Sequence, residues 1–145
     1  MGSHARSLEA GARWAECRLL AGDLEGARAR AETELEHARL LGAVAPLPLL
    51  HRVRGVTLAR TGDPQGAAEA LRRSLEAARS DHVDYEVALT LGVMAALGLE
   101  DGGRAPQDLA RESERILRAL GVVWVPDLMA PEPGSPSVVV AASTI

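Results

Sequence analysis

Gly22-Asp23 returns as Gly62-Asp63, and the residues that follow return with it. Gly26-Ala27 falls on Gly66-Ala67, Leu35 on Leu75, and Ala38-Arg39 on Ala78-Arg79, an internal period of 40. A third copy is looser: Leu41-Gly42 recurs as Leu120-Gly121, and Gly102-Gly103 stands in for the Gly-Asp joint. A repeat of this length cannot close a core alone. It buries its apolar face only by stacking on its neighbours.

Within each unit the apolar residues recur at three and four, the spacing of one helix face. Ala27, Ala31, Leu35, Ala38 and Leu41 do so in one segment, and Ala67, Leu71, Leu75 and Ala78 in another. Six helices are expected, over 5–21, 23–41, 47–61, 64–80, 83–98 and 105–120. The fifth, with Val87, Leu89, Leu91, Val93 and Met94, is apolar nearly all round, which marks it as the central buried helix. The joints agree. Gly closes one helix in the left-handed region, Asp accepts amides opening the next, and Pro64 falls at a first helical position. With no Phe, two Trp and one Tyr, the core must come from Leu, Ala and Val, which suits closely spaced helices.

These residues resemble the tetratricopeptide repeats. In that family a small residue sits midway along the first helix, Gly-Asp marks the turn, and small residues dot the second helix where the two cross. Trp14-Ala15, Gly22-Asp23 and Ala27 match one unit; Gly55, Gly62-Asp63 and Ala67 the next; Gly92 and Ala105 a third. Glu34 and Ser74 stand where the family usually has Ala, neither repeat ends in the usual Pro, and the units exceed the usual length of about 34. Arg52–Ala67 (RVRGVTLARTGDPQGA), Tyr85–Leu97 (YEVALTLGVMAAL) and Leu117–Pro126 (LRALGVVWVP) further resemble the C-terminal repeats of large actinobacterial regulators. Those proteins pair a nucleotide cyclase or a DNA-binding module with an AAA-type ATPase. The resemblance covers about residues 8–126. It implies an all-α solenoid of three antiparallel helix pairs, acting as a protein-interaction or regulatory scaffold.

The same resemblance implies that the first helix of each pair lines a ligand groove. The lining expected here is Glu9, Glu16, Leu49, Arg52, Val56, Arg60, Glu86, Val93 and Leu97. An apolar strip flanked by Arg52 and Arg60 suits a protein or peptide ligand carrying carboxylates, which guanidinium groups hold bidentately.

Little points to chemistry. There is no lysine, so a phosphate-binding Gly-x-x-x-x-Gly-Lys loop is excluded. His37, His51 and His82 pair with no second His or Cys at helical spacing, and His82 with Asp81 and Asp84 reads as a helix start capped by Asp81. Cys17 reads as a small buried residue, and the Ser residues occupy no nucleophile turn. Glu32, Glu34 and Glu36 read as a solvated face. No catalytic residue, cofactor or metal is expected, and the chain reads as a non-enzyme.

A net charge of −4 without a basic cluster argues against direct binding of nucleic acid. No uncharged run reaches the ~20 residues that span a bilayer, and one Cys with no signal pattern fits the cytoplasm. Residues 1–4 read as a tag remnant, 5–125 as the repeat domain and 126–145 as a Pro- and Val-rich tail. The tail folds back over the last helix, joins two copies or stays disordered; a homodimer would use the tail or the terminal helix faces, with Trp124 as a C-terminal lid.

Overall fold

The computed structural model describes residues 2–129. It holds α1 (Gly2–Leu20), α2 (Leu24–Leu41), α3 (Leu47–Arg60), α4 (Pro64–Ser80), α5 (Asp84–Ala96) and α6 (Pro106–Ala119). Among the described residues there is no strand beyond one isolated bridge, Asp101 to Arg104. The all-helical class and the six segments match the periodicity. Gly2–His4, read as a tag remnant, are helical and form the start of α1.

The Gly-Asp joints do what their chemistry requires. Gly22 and Gly62 carry φ of 83° and 89°, a region that a Cβ makes costly. Asp23 then accepts the Gly26 amide at 2.9 Å, and Asp63 accepts that of Gly66 at 2.8 Å. Each bond satisfies one of the open amides of a helix start, worth about 1 kcal/mol. The joint between α4 and α5 differs from expectation. Asp81 closes α4 rather than capping α5, His82 takes the left-handed turn at φ 54°, and Val83 precedes α5 without a side-chain cap.

Each helix packs on the next in the chain, and α3 also touches α1 and α5. No other pairs of helices meet among the described residues, so order in the chain is order in space. The first helices of the pairs, α1, α3 and α5, therefore share one side. The central helix is α3, not α5. Nine of its fourteen residues are buried, and it meets α1, α2, α4 and α5. The surplus apolar surface of α5 has a different use, described below.

Two clusters make up most of the core. Ala12, Ala15 and Leu19 of α1 and Ala27 and Ala31 of α2 pack with Leu49, Leu50, Val53 and Val56 of α3. Leu71 and Leu75 of α4 pack with Leu91 and Met94 of α5 and Leu109 of α6. Val93 touches both clusters. Burying each large aliphatic side chain is worth roughly 1.5–3 kcal/mol, which is how a core without Phe holds.

The crossings of the pairs repeat as well. Ser74 of α4 donates to the Pro48 carbonyl of α3 at 2.7 Å, and Ser113 of α6 donates to the Ala88 carbonyl of α5 at 2.6 Å. Forty residues before Ser74 stands Glu34, expected on a solvated face together with Glu32 and Glu36. Glu32 and Glu36 are exposed, whereas Glu34 is 5% exposed. Its carboxyl group lies against Gly11 of α1, in space that a Cβ there would occupy, and it pairs with Arg30 at 2.9 Å.

The chain past α6 turns back. Leu128 is 6% exposed and joins the cluster of α1, α2 and α3, with Met129 packed beside it. Asp127 accepts the Met129 amide at 3.0 Å and holds the bend. Leu128 and Met129 thus pack on the core, past the expected boundary at 125. Trp124 is not the expected lid: it is 55% exposed. The expected Val138–Val140 contact lies outside the described residues.

Candidate functional site

A cavity of about 460 Å³ opens where the returning segment crosses the side shared by the first helices. Leu89, Gly92, Val93 and Ala96 give one wall, a helical face that accounts for the second apolar side of α5. Ala110, Ser113 and Leu117 of α6 give the next, and Val125–Met129 close over them. Glu16 of α1 and Arg52 of α3 are the charged residues at the inner end. Glu114, Arg118 and Asp127 stand around the rest.

Arg52 dominates the inner end. Its side chain is 1% exposed, although it sits in the stripe of Leu49, Val53 and Val56 that forms the core face of α3. Nη1 donates to Glu86 of α5 at 2.7 Å and to Thr90 at 3.3 Å. Ser74 gives its proton to Pro48, so Thr90 must be the donor in the 2.8 Å bond between Thr90 and Ser74. A chain of hydrogen bonds therefore runs from Arg52 through Thr90 and Ser74 back to α3, tying three helices together. The other edge of the guanidinium is bare: Nε and Nη2 are buried and have no partner. Glu16, also buried, is held by Arg13 at 3.0 Å.

The expected groove residues divide into three groups. The cavity gathers Glu16, Arg52 and Val93, with Glu86 bound to Arg52. Leu49 and Val56 lie in the core, where packing against α1 and α2 leaves them no face for a ligand. Glu9 is exposed on α1, Arg60 half-buried at the end of α3, and Leu97 half-buried against the second cluster. No family model, curated protein or solved structure matches this chain. The comparison with tetratricopeptide repeats thus rests on the chain's own residues.

Other candidates stay apart from the cavity. Cys17 is exposed, not buried as expected, because it lies on the face of α1 away from Ala12, Ala15 and Leu19. His51 is half-buried, its Nδ1 has no partner, and burial, with Arg73 and Arg54 nearby, pushes its pKa down to about 4. Among the described residues, no group of three or more His, Cys, Asp or Glu could hold a metal. None of the described helices is long and apolar enough to cross a membrane.

The sequence reading missed Ala110, Ser113, Leu117 and the segment 125–129. The period-40 alignment carried a usable signal for Ser113, which falls near the position of Ser74. Nothing comparable marks Leu128, whose place depends on where the chain goes after its last helix.

Proposed function

We propose that this chain is a protein-interaction scaffold of tetratricopeptide type, a short α-solenoid that serves as the regulatory part of a larger signalling or transcription-regulating ATPase or cyclase. The observation that carries the reading is the packing order: three hairpins in sequence, with α1, α3 and α5 on one side. A surface made from several first helices can follow an extended or helical peptide. Glu9 and Arg60 are the groove residues that lie neither in the core clusters nor at the cavity. The test is a quantitative pull-down from source lysate with wild type and a Glu9→Arg, Arg60→Glu variant of equal helical circular dichroism. The captured partner is then purified and titrated against both. A partner whose affinity falls in the variant supports the groove; equal affinity removes it.

A second reading is self-association. Leu40, Leu41 and Val44 are exposed at the end of α2 and just beyond it, and Leu120, Val123 and Trp124 just after α6. Clustered exposed apolar side chains mark contact surfaces. Light scattering on wild type and on Leu41→Glu, Trp124→Glu decides it: a dimer that becomes a monomer supports the reading, and a monomeric wild type ends it.

A further inference from the structure

We propose that the cavity under residues 125–129 binds a small, uncharged, apolar molecule that presents carbonyl oxygens to Arg52. Arginine offers five N–H donors, and the Nε and Nη2 edge is the side-on fork that takes two acceptors in parallel. In Arg52 the opposite corner is occupied, Nη1 donating to Glu86 and Thr90, while both atoms of the side-on fork have no partner. A buried donor without an acceptor is unfavourable, and here two stand together on one fully buried side chain. That side chain forms part of the lining of a cavity of about 460 Å³, within the size range of sites for small ligands.

The charge of the ligand follows from what already surrounds Arg52. Glu86 lies 2.7 Å away and balances its charge. Glu16 is matched by Arg13 at 3.0 Å, which leaves Glu114 and Asp127 against Arg118, so acids still exceed bases by one around the cavity. An added carboxylate would face that excess in a poorly solvated space. An ammonium group would oppose the bare N–H edge. What the site lacks is acceptors rather than charge, and a neutral amide or ketone supplies them. Leu89, Val93, Leu117, Leu128 and Met129 then enclose an apolar body.

Entry has a structural route. Nε and Nη2 show essentially no surface to water, so the acceptor reaches them only when part of the wall gives way. Val125, Pro126 and Asp127 line the cavity without regular secondary structure, which makes this segment the part of the wall outside the helical framework. The ligand therefore competes with the closed position of this segment. This site is independent of the protein-binding surface proposed above, and either can fail without the other.

The test uses N-acetyl-leucine methylamide, a neutral probe with two carbonyl groups, followed by the Nε–H resonance of Arg52. Its charged relatives N-acetyl-leucine and leucine methylamide serve as the anionic and cationic arms. The expected result is saturable movement of the Arg52 resonance with Kd on the order of 1 mM for a probe of this size. Both charged forms should bind at least about tenfold more weakly. Ala110→Leu fills the cavity from α6 without touching the Arg52–Glu86 pair, and should abolish the response at unchanged helicity. An Arg52 resonance that does not move up to about 20 mM overturns the proposal. So does an anionic probe that binds as tightly as the neutral one, or full binding by folded Ala110→Leu.

Discussion

Arg52 of α3 and Glu86 of α5 form a buried ion pair at 2.7 Å, with their side chains 1% and 14% exposed. The pair joins the first helices of two successive hairpins. Removing one partner strands the other charge in the interior. Arg52→Met should therefore lower stability to urea by roughly 3–5 kcal/mol. Arg52→Met with Glu86→Leu should recover most of that loss, because an apolar pair of similar volume avoids the desolvation of both charges. A double variant as unstable as the sum of the two single ones would show that the residues act separately.

His51 makes stability depend on pH. Its folded pKa of about 4 lies below the ordinary 6.5, so the unfolded chain binds the proton more readily. The contribution is complete above pH 6.5, falls as the pH drops through the window, and is gone below about 4. Partial exposure reduces its size to on the order of 1–2 kcal/mol. His51→Gln should flatten urea midpoints between pH 4 and 6.5 relative to wild type. An unchanged slope would remove His51 as the cause.

Gly11 and Glu34 form a matched pair, since the Glu34 carboxyl group fills the space a Cβ at position 11 would need. Gly11→Ala alone should destabilise by about 1–3 kcal/mol through overpacking. Glu34→Ala opens that space and removes a buried charge. Gly11→Ala should then be much better tolerated, by at least about 1 kcal/mol in a double-mutant cycle. Additive effects of the two changes would show that they do not share the crossing.

Leu128 belongs to the core of the first three helices. Leu128→Ala should cost about 2–5 kcal/mol, as for a buried Leu elsewhere. Hydrogen exchange distinguishes this from a local effect. Protection should fall in α1 and α3 as well as near residue 128, and loss confined to the C-terminal segment would contradict the placement.

The helix limits were legible because local chemistry sets them. Gly22-Asp23 and Gly62-Asp63 carry the turn and the cap within a few residues, and apolar spacing carries the rest. Burial of charge was less legible. Arg52 interrupts the Leu49, Val53, Val56 stripe, and that position was a signal that it faces inward. Its partner Glu86 lies 34 residues away, and no spacing rule joins them. Glu34 was hidden for a related reason, since its burial depends on Gly11 across the crossing. The bare edge of Arg52 and the cavity beside it needed the path of residues 122–129, which follows no repeat.

A stack of hairpins ordinarily frays from its ends, each terminal unit loosening without its distant counterpart. Here the chain beyond α6 reaches the helices that began it, through Leu128 among Ala12, Ala15 and Val53. So clasped, the described helices close into a ring of contacts, in which a loosening near α6 reaches α1 and α3. Displacing Leu128 would then open the cavity and loosen the first and last described helices together.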